Sequence, residues 1–213
     1  MWLEWRPSDV PVERFEVVTY ETASRNGEPM KMLATYFNSE GRNAGRPNVT
    51  NRMCTAHLKI KARQYYAKSL GWGNDWTNVI GLRADEERRV AKSKDSGDPW
   101  DNCWPLHAAG ITAHDVVAWW KQQDFDLQLP VDVRGVSAEG NCDLCFLKHP
   151  GKKVSIIRVT PCKADWWIAM EEEFGALFRN DQPNYAALKV MAEQPQLFDI
   201  DFGEDADTCA CTD

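Results

Sequence analysis

The chain has 213 residues, a formal net charge of −7 and a pI near 5.2. That length supports one domain, or one domain with a small appendage, around a sizeable core. The acidic balance argues against a broad electrostatic footprint for nucleic acid but does not exclude a local basic groove. No run approaches the roughly 20 apolar residues of a membrane span. The opening Met1-Trp2-Leu3-Glu4-Trp5-Arg6-Pro7 has neither the charged flank nor the apolar run of a signal peptide, so a cytoplasmic protein is expected.

In chain order, Phe15 to Tyr20 reads as a short strand, "ETASRNGEP" as a loop turning at Asn26-Gly27, and residues 30–38 as a short helix. Asn38 to Asn48 is a surface loop rich in Gly, Asn and Arg. From Thr55 to Leu70 the spacing of Leu58, Ala62, Tyr65, Tyr66 and Leu70 predicts a helix closed by Gly71. Thr77 to Arg83, "TNVIGLR", predicts a buried strand, followed by a charged loop or short solvated helix. Thr112 and Asp115 form a capping box that opens a helix bearing Val116, Val117, Trp119 and Trp120. "KKVSIIR", Lys152 to Arg158, is too short for periodicity to separate strand from helix. Thr160-Pro161 reads as an N-cap and N1 proline, opening a helix through Trp166, Trp167, Met170, Phe174, Leu177 and Phe178. The acidic tail from Asp199 carries Cys209 and Cys211. Strands alternating with helices favour an α/β layer fold.

Ten tryptophans, with the pairs Trp119-Trp120 and Trp166-Trp167, read as core anchors of amphipathic helices. Seven cysteines in a reducing compartment argue against a disulfide framework and give weight to metal binding or redox chemistry. Cys142 and Cys145 form a C-x-x-C in "GNCDLCFLK", a spacing that lets two thiolates reach one metal or cluster from a tight turn. A redox pair or an incidental turn has the same spacing. No helix clearly starts between the two cysteines to lower a thiol pKa, which weighs against thioredoxin-like use. Further ligands are available at Cys54, Cys162, Cys209 and Cys211, with Cys103 and His107 as a looser group. Cys54 stands between Arg52 and Lys59 at a predicted helix start, where thiolate and anion binding are both favoured. Buried free cysteine is the plain alternative for Cys103 and Cys162. His57, His107, His114 and His149 read as surface or capping residues. After the strand "TNVI", Arg83, Asp85, Glu86 and Arg88 place charged groups at the carboxyl edge of a sheet, where α/β proteins bind ligands. An arginine there can grip phosphate bidentately and a carboxylate can orient it or a Mg²⁺. A solvated charged turn accounts for the same residues.

Taken together, "WLEW", "SRNGEP", "RPNVTNRMCTAHLKI", "WTNVIGLRADEERR", "GNCDLCFLK", "ADWWIAMEEE" and "CACTD" resemble phosphoadenosine-phosphosulfate (PAPS) reductase-like proteins, and within them the branch of phages and prophages. The resemblance runs over nearly the whole chain. It implies membership of the adenine nucleotide α-hydrolase superfamily, with a Rossmann-like parallel α/β sheet and flanking helices. The implied division is a truncated α/β domain over 1–135, a cysteine-knuckle and helical region packed on it over 136–198, and a tail over 199–213. The implied chemistry is sulfur transfer or reduction that depends on ATP or an adenylyl-sulfate. A 4Fe–4S cluster, or zinc in its place, would sit on Cys54, Cys142 and Cys145, with Cys209 or Cys211 as fourth ligand or resolving thiol. Cys54, Arg83 and Asp85 would be catalytic, and Arg52, Lys59, Arg83, Glu86 and Arg88 would face nucleotide phosphates or a sulfur-containing small molecule. The family's Ser-Gly-Gly phosphate loop has no counterpart here, since "SKDSGD" and "HPGKK" lack the glycine pair and a preceding strand. The resemblance therefore leads to the expectation of a sheet that starts late and is covered by a second copy or a complementing chain. It equally allows a metal-stabilised binding module that has given up nucleotide hydrolysis.

Overall fold

The computed structural model describes residues 2–10, 13–39, 47–49, 51–125 and 142–194. These form two compact units, one from residues 2–70 with 142–194 and the other from residues 71–125. Residues 142–194, a separate region by sequence, thus fold together with the N-terminal segment.

In the first unit, β1 (Trp2–Trp5) and β2 (Phe15–Val18) pair antiparallel, Trp5 opposite Phe15 and Glu4 opposite Glu16. Like charges facing each other across a ladder destabilise it. Arg6 offsets this by reaching Glu4 at 2.9 Å and Glu16 at 2.8 Å. Helix α1 (Glu28–Ser39) turns Leu33, Ala34 and Phe37 inward, and Leu33 and Phe37 meet Trp5 and Met53 in one small core.

The helix expected from Thr55 begins at Cys54 as a π-helical segment, Cys54–Lys61, and continues as α2 (Ala62–Ser69). At the junction the Ala62 N–H reaches His57 O, five residues back. Wide turns of this kind are rare and concentrate at functional sites. His57 is half-buried with its ring edge-on to Phe37, centroids 4.7 Å apart, and is not a surface residue.

The larger core lies between α6 (Pro150–Val159), α7 (Lys163–Phe174) and α8 (Tyr185–Glu193), around Leu144, Phe146, Ile157, Trp167, Met170, Phe178, Tyr185 and Leu188. The ambiguous "KKVSIIR" is helical because α8 packs against α6 and buries Lys153, Val154, Ile156 and Ile157 at helical spacing. Thr160-Pro161 is not the cap of the next helix. Thr160 ends α6, its N–H donating to Ile156 O at 2.9 Å. Helix α7 starts at Lys163 after a tight turn in which Lys163, Ala164 and Asp165 donate to carbonyls three residues back.

In the second unit, β3 (Thr77–Val79) and β4 (Asp101–Cys103) pair parallel in the register Asn78 to Asn102. The crossover carries a 3₁₀ turn (Ala84–Glu86) and α3 (Glu87–Lys94), the connection that parallel strands require. Buried Asn78 donates to Asn102 Oδ1 at 2.7 Å, and Asn102 to Asp98 at 2.9 Å. The strand is shorter and more exposed than its β-branched composition predicts. Val79 is 66 % exposed, because among the described residues β3 has β4 as its single neighbour. After α4 (Pro105–Ala108), the Thr112–Asp115 capping box forms as expected and opens α5 (Ala113–Trp120).

Candidate functional site

The Cys142–Cys145 segment is a tight turn bound to the α6–α8 core. The Cys145 N–H donates to Cys142 O at 3.3 Å, and the Lys148 N–H to Cys145 O at 2.9 Å. His149 then caps α6, its Nδ1 accepting from the Gly151 N–H at 3.2 Å, with Pro150 at the first helical position. Leu144 and Phe146 insert into the core, so Cys145 is buried while Cys142 stays exposed. The remaining carbonyls of the turn are held from outside it. The Tyr185 hydroxyl donates to Leu144 O at 2.5 Å, and the Lys148 ammonium to Asp143 O at 2.9 Å. The Asp143 carboxylate meets Lys163 at 3.2 Å. Both thiols therefore leave a backbone fixed on each side.

Lys153, in α6, is 1 % exposed. Its ammonium donates to Gln182 Oε1 at 2.8 Å and sits 5.2 Å from the Tyr185 ring centroid. Burial pulls its pKa down to about 8, aided by the Arg179 charge and opposed by Cys145, Glu171 and Asp181. Burial also pushes the Tyr185 hydroxyl well up, with the Cys145, Glu171 and Cys142 charges adding to it, so it remains a donor. Glu171 staples α7 to the start of α8, accepting from the Phe178 N–H at 3.2 Å and the Tyr185 N–H at 3.0 Å. Asp181 is forked by Arg179, with Nε to Oδ1 at 2.8 Å, and this hydrogen-bonded pairing holds its pKa down to about 2.

Cys54, first residue of the π-helical segment, is half-buried and packs against the same α6–α8 core. Its neighbours differ in exposure: Arg52 is half-buried and Lys59 exposed. Cys162 is exposed at the start of α7, and Cys103 half-buried in β4. As a seat for a metal or cluster, the described residues supply two thiols from one rigid turn. No group of three or more His, Cys, Asp or Glu among them is placed to hold a metal ion. Cys54 shares the core with the pair without forming such a group, and Cys209 and Cys211 lie outside the described residues. The fit is thus that of half a site.

The charged residues after β3 belong to the second unit, whereas Arg52, Cys54 and Lys59 belong to the first. Arg83 forks Asp85, with Nε to Oδ1 at 3.0 Å and Nη2 to Oδ2 at 3.4 Å. Burial would raise the Asp85 pKa, but the Arg83 hydrogen bond and charge hold it low. Glu86 accepts from the Arg83 N–H at 3.0 Å and pairs with Arg89. His107 meets Glu87 at 2.6 Å, and Arg88 is exposed. In this state Arg83, Asp85 and Glu86 satisfy one another. Residues not singled out from sequence are Lys148, Lys153, Gln182 and Tyr185. Lys148 stands inside the quoted "GNCDLCFLK" and was open to notice; the others reach the turn only through the packing of α6 and α8.

No protein-family model matches the chain, and no solved structure does. A similar curated protein is an uncharacterized nin region protein, ORF290, of Escherichia phage lambda. It is 34 % identical over 109 residues, covering 51 % of this chain and 33 % of that protein. The chain therefore spans about a third of the length of the relative it matches. Among the described residues, no helix is long and apolar enough to cross a membrane.

Proposed function

We propose that this chain is a PAPS reductase-like protein of the phage branch, derived from ATP- or adenylyl-sulfate-dependent sulfur transfer or reduction and acting in the host cytoplasm. Its Cys142–Cys145 turn would hold a metal or iron–sulfur cluster. The observation that carries this reading is the turn itself. Two thiols project from a backbone whose carbonyls are held by Cys145, Tyr185 and Lys148, the rigid arrangement that metal ligation asks of its first shell. The phage relative and the parallel βαβ crossover of the second unit add support for the ancestry and for a Rossmann-like sheet. Cys54, with Cys209 or Cys211, is the proposed source of the remaining ligands. A cluster bound there would supply an iron able to carry sulfide. The chain's own part is to fix the two thiols, and to exclude water from the inner one by burying Cys145. Arg52, Lys59, Arg83, Asp85, Glu86 and Arg88 are the proposed contacts to a nucleotide or sulfur-containing substrate, with Mg²⁺ where phosphates are bound. A second copy or a complementing chain is the proposed partner along the sheet.

The test is iron, acid-labile sulfide and zinc content in protein purified without oxygen. Iron and sulfide in equal amounts, lost in Cys142→Ser and Cys54→Ser, are the expected result. Absence of any metal in the wild type would overturn the reading. A second reading, a metal-stabilised binding module, is favoured by the burial of Leu144, Cys145 and Phe146 in the main core, which makes the turn part of the fold. It is distinguished by stoichiometric zinc without iron, together with Cys142→Ser melting the protein and Arg83→Ala leaving its function intact.

A further inference from the structure

The protein has 32 acidic residues and a net charge of −7, yet the stretch from Asn51 to Leu70 contains no Asp or Glu. It carries Arg52, Lys59, Lys61, Arg63 and Lys68, and it folds as the π-helical segment and α2. On α2, Ala62, Tyr65 and Ala67 are buried, and Tyr66 stands edge-on to Phe15 of β2 with centroids 5.7 Å apart. The outward stripe is Lys61, Gln64 and Lys68, at i, i+3 and i+7, with Lys59 exposed one turn before. Among the described residues Lys59, Lys61 and Lys68 are in no ion pair, whereas Lys31, Lys163 and Lys189 each meet a carboxylate. The elements packed against this helix offer no free carboxylate either. Glu4 and Glu16 are both held by Arg6, and Glu28 accepts from the Asn26 N–H at 2.8 Å. The first turn of the π-helical segment has no acidic residue and no side-chain cap, so its positive end adds to the same field.

We infer that the outward face of this helix, Lys59, Lys61 and Lys68, is a docking surface for the phosphate backbone of duplex nucleic acid. The inference stands apart from the metal site and from any nucleotide chemistry. A polyanion is the partner that unpaired cations on an acid-free face complement, and the acidic remainder of the protein confines it to that face. The apolar side of α2 already lies against β1 and β2, so the helix has no apolar face to lay into a lipid surface. The stripe carries no aromatic or aliphatic anchor of the kind a protein interface centres on, and none on which a base could stack. Lys61 and Lys68 stand roughly 10 Å apart along the axis, far enough to take separate phosphates. Contacts of this kind position a duplex without reading its sequence.

The experiment measures binding of the full chain to a short mixed-sequence DNA duplex by fluorescence anisotropy over a series of salt concentrations. With three phosphates neutralised, the logarithm of affinity should fall with the logarithm of salt at a slope of about −2 to −3. Lys61→Gln combined with Lys68→Gln should flatten that slope by about two and weaken binding at low salt about ten-fold or more. Lys31→Gln combined with Lys189→Gln changes net charge by the same amount at lysines that are already paired, and should leave both quantities near wild type. Equal losses in the two double variants would show an effect of net charge alone and overturn the inference. So would a wild type that does not bind the duplex at low salt, or one displaced from it equally well by poly-glutamate. If Lys61→Gln does not fold, Lys59→Gln with Lys68→Gln, both at exposed positions, decides the matter by the same slope.

Discussion

Tyr185→Phe removes one oxygen and nothing else. The ring is 2 % exposed, stacks on Trp167 with centroids 4.9 Å apart, and stands edge-on to Phe178. Phenylalanine preserves these contacts. What is lost is the hydroxyl's bond to Leu144 O, which joins the start of α8 to the cysteine turn 41 residues earlier. Leu144 is fully buried, so its carbonyl gains no water in exchange. A net hydrogen bond is worth about 0.5–1.5 kcal/mol, and an orphaned buried acceptor costs about 1–3 kcal/mol. The expected destabilisation is therefore about 1–3 kcal/mol. At about 2–4 °C per kcal/mol for a chain of this size, the thermal midpoint should fall by roughly 2–12 °C. Urea denaturation should show a lower midpoint at unchanged slope, because the exposed surface hardly changes. Metal retention should fall with it, since the Leu144 carbonyl is one of the ties on the turn. An unchanged midpoint with unchanged metal content would refute the claim that Tyr185 holds the turn.

Gly27→Ala should cost about 2–4 kcal/mol, from a left-handed φ of +77° and a Cβ placed 2.6 Å from the Trp166 ring. Gly175→Ala, at φ +58° with open space around it, should show the backbone part alone, about 1 kcal/mol, in the same thermal melt. In metal-free protein, Lys153 is charged in both states below pH 8, and near 10.5 it is neutral when folded but still half protonated when unfolded. Between those values the unfolded chain holds the extra proton, so stability rises with pH there, by an amount on the order of 3 kcal/mol. Lys153→Met should flatten that rise when urea midpoints are compared across pH 8 to 10.5. Thr112→Ala should remove the cap on α5, whose hydroxyl accepts from the Asp115 N–H at 3.4 Å, at a cost of about 1 kcal/mol. Faster hydrogen exchange in the first turn of α5 would report it.

Local chemistry was legible in the residues alone. The Thr112–Asp115 capping box forms because both partners lie within one turn of backbone, and the C-x-x-C turn because three residues suffice to close it. Helix α1 and the π-to-α run from Cys54 carry their own apolar spacing. The π-helical widening at Cys54 had no sequence signal, because the same residues satisfy an α-helical stripe equally well.

Only the tertiary structure decided what those local pieces do. "KKVSIIR" had no preference until α8 covered it, and that burial turned one of its lysines, Lys153, into a core residue 29 positions from its hydrogen-bond partner. Tyr185 carries no mark in the sequence that it will reach a carbonyl 41 residues away. The charged set read as one site by resemblance divides between two compact units, Arg52, Cys54 and Lys59 in one and Arg83 to Arg88 in the other. The physical reason is common to all three. Turns and caps are settled by hydrogen bonds that a few adjacent residues make among themselves, and any reader of the sequence can count them. Charge burial and ligand assembly depend on which apolar faces find each other. That choice is made by the whole chain at once.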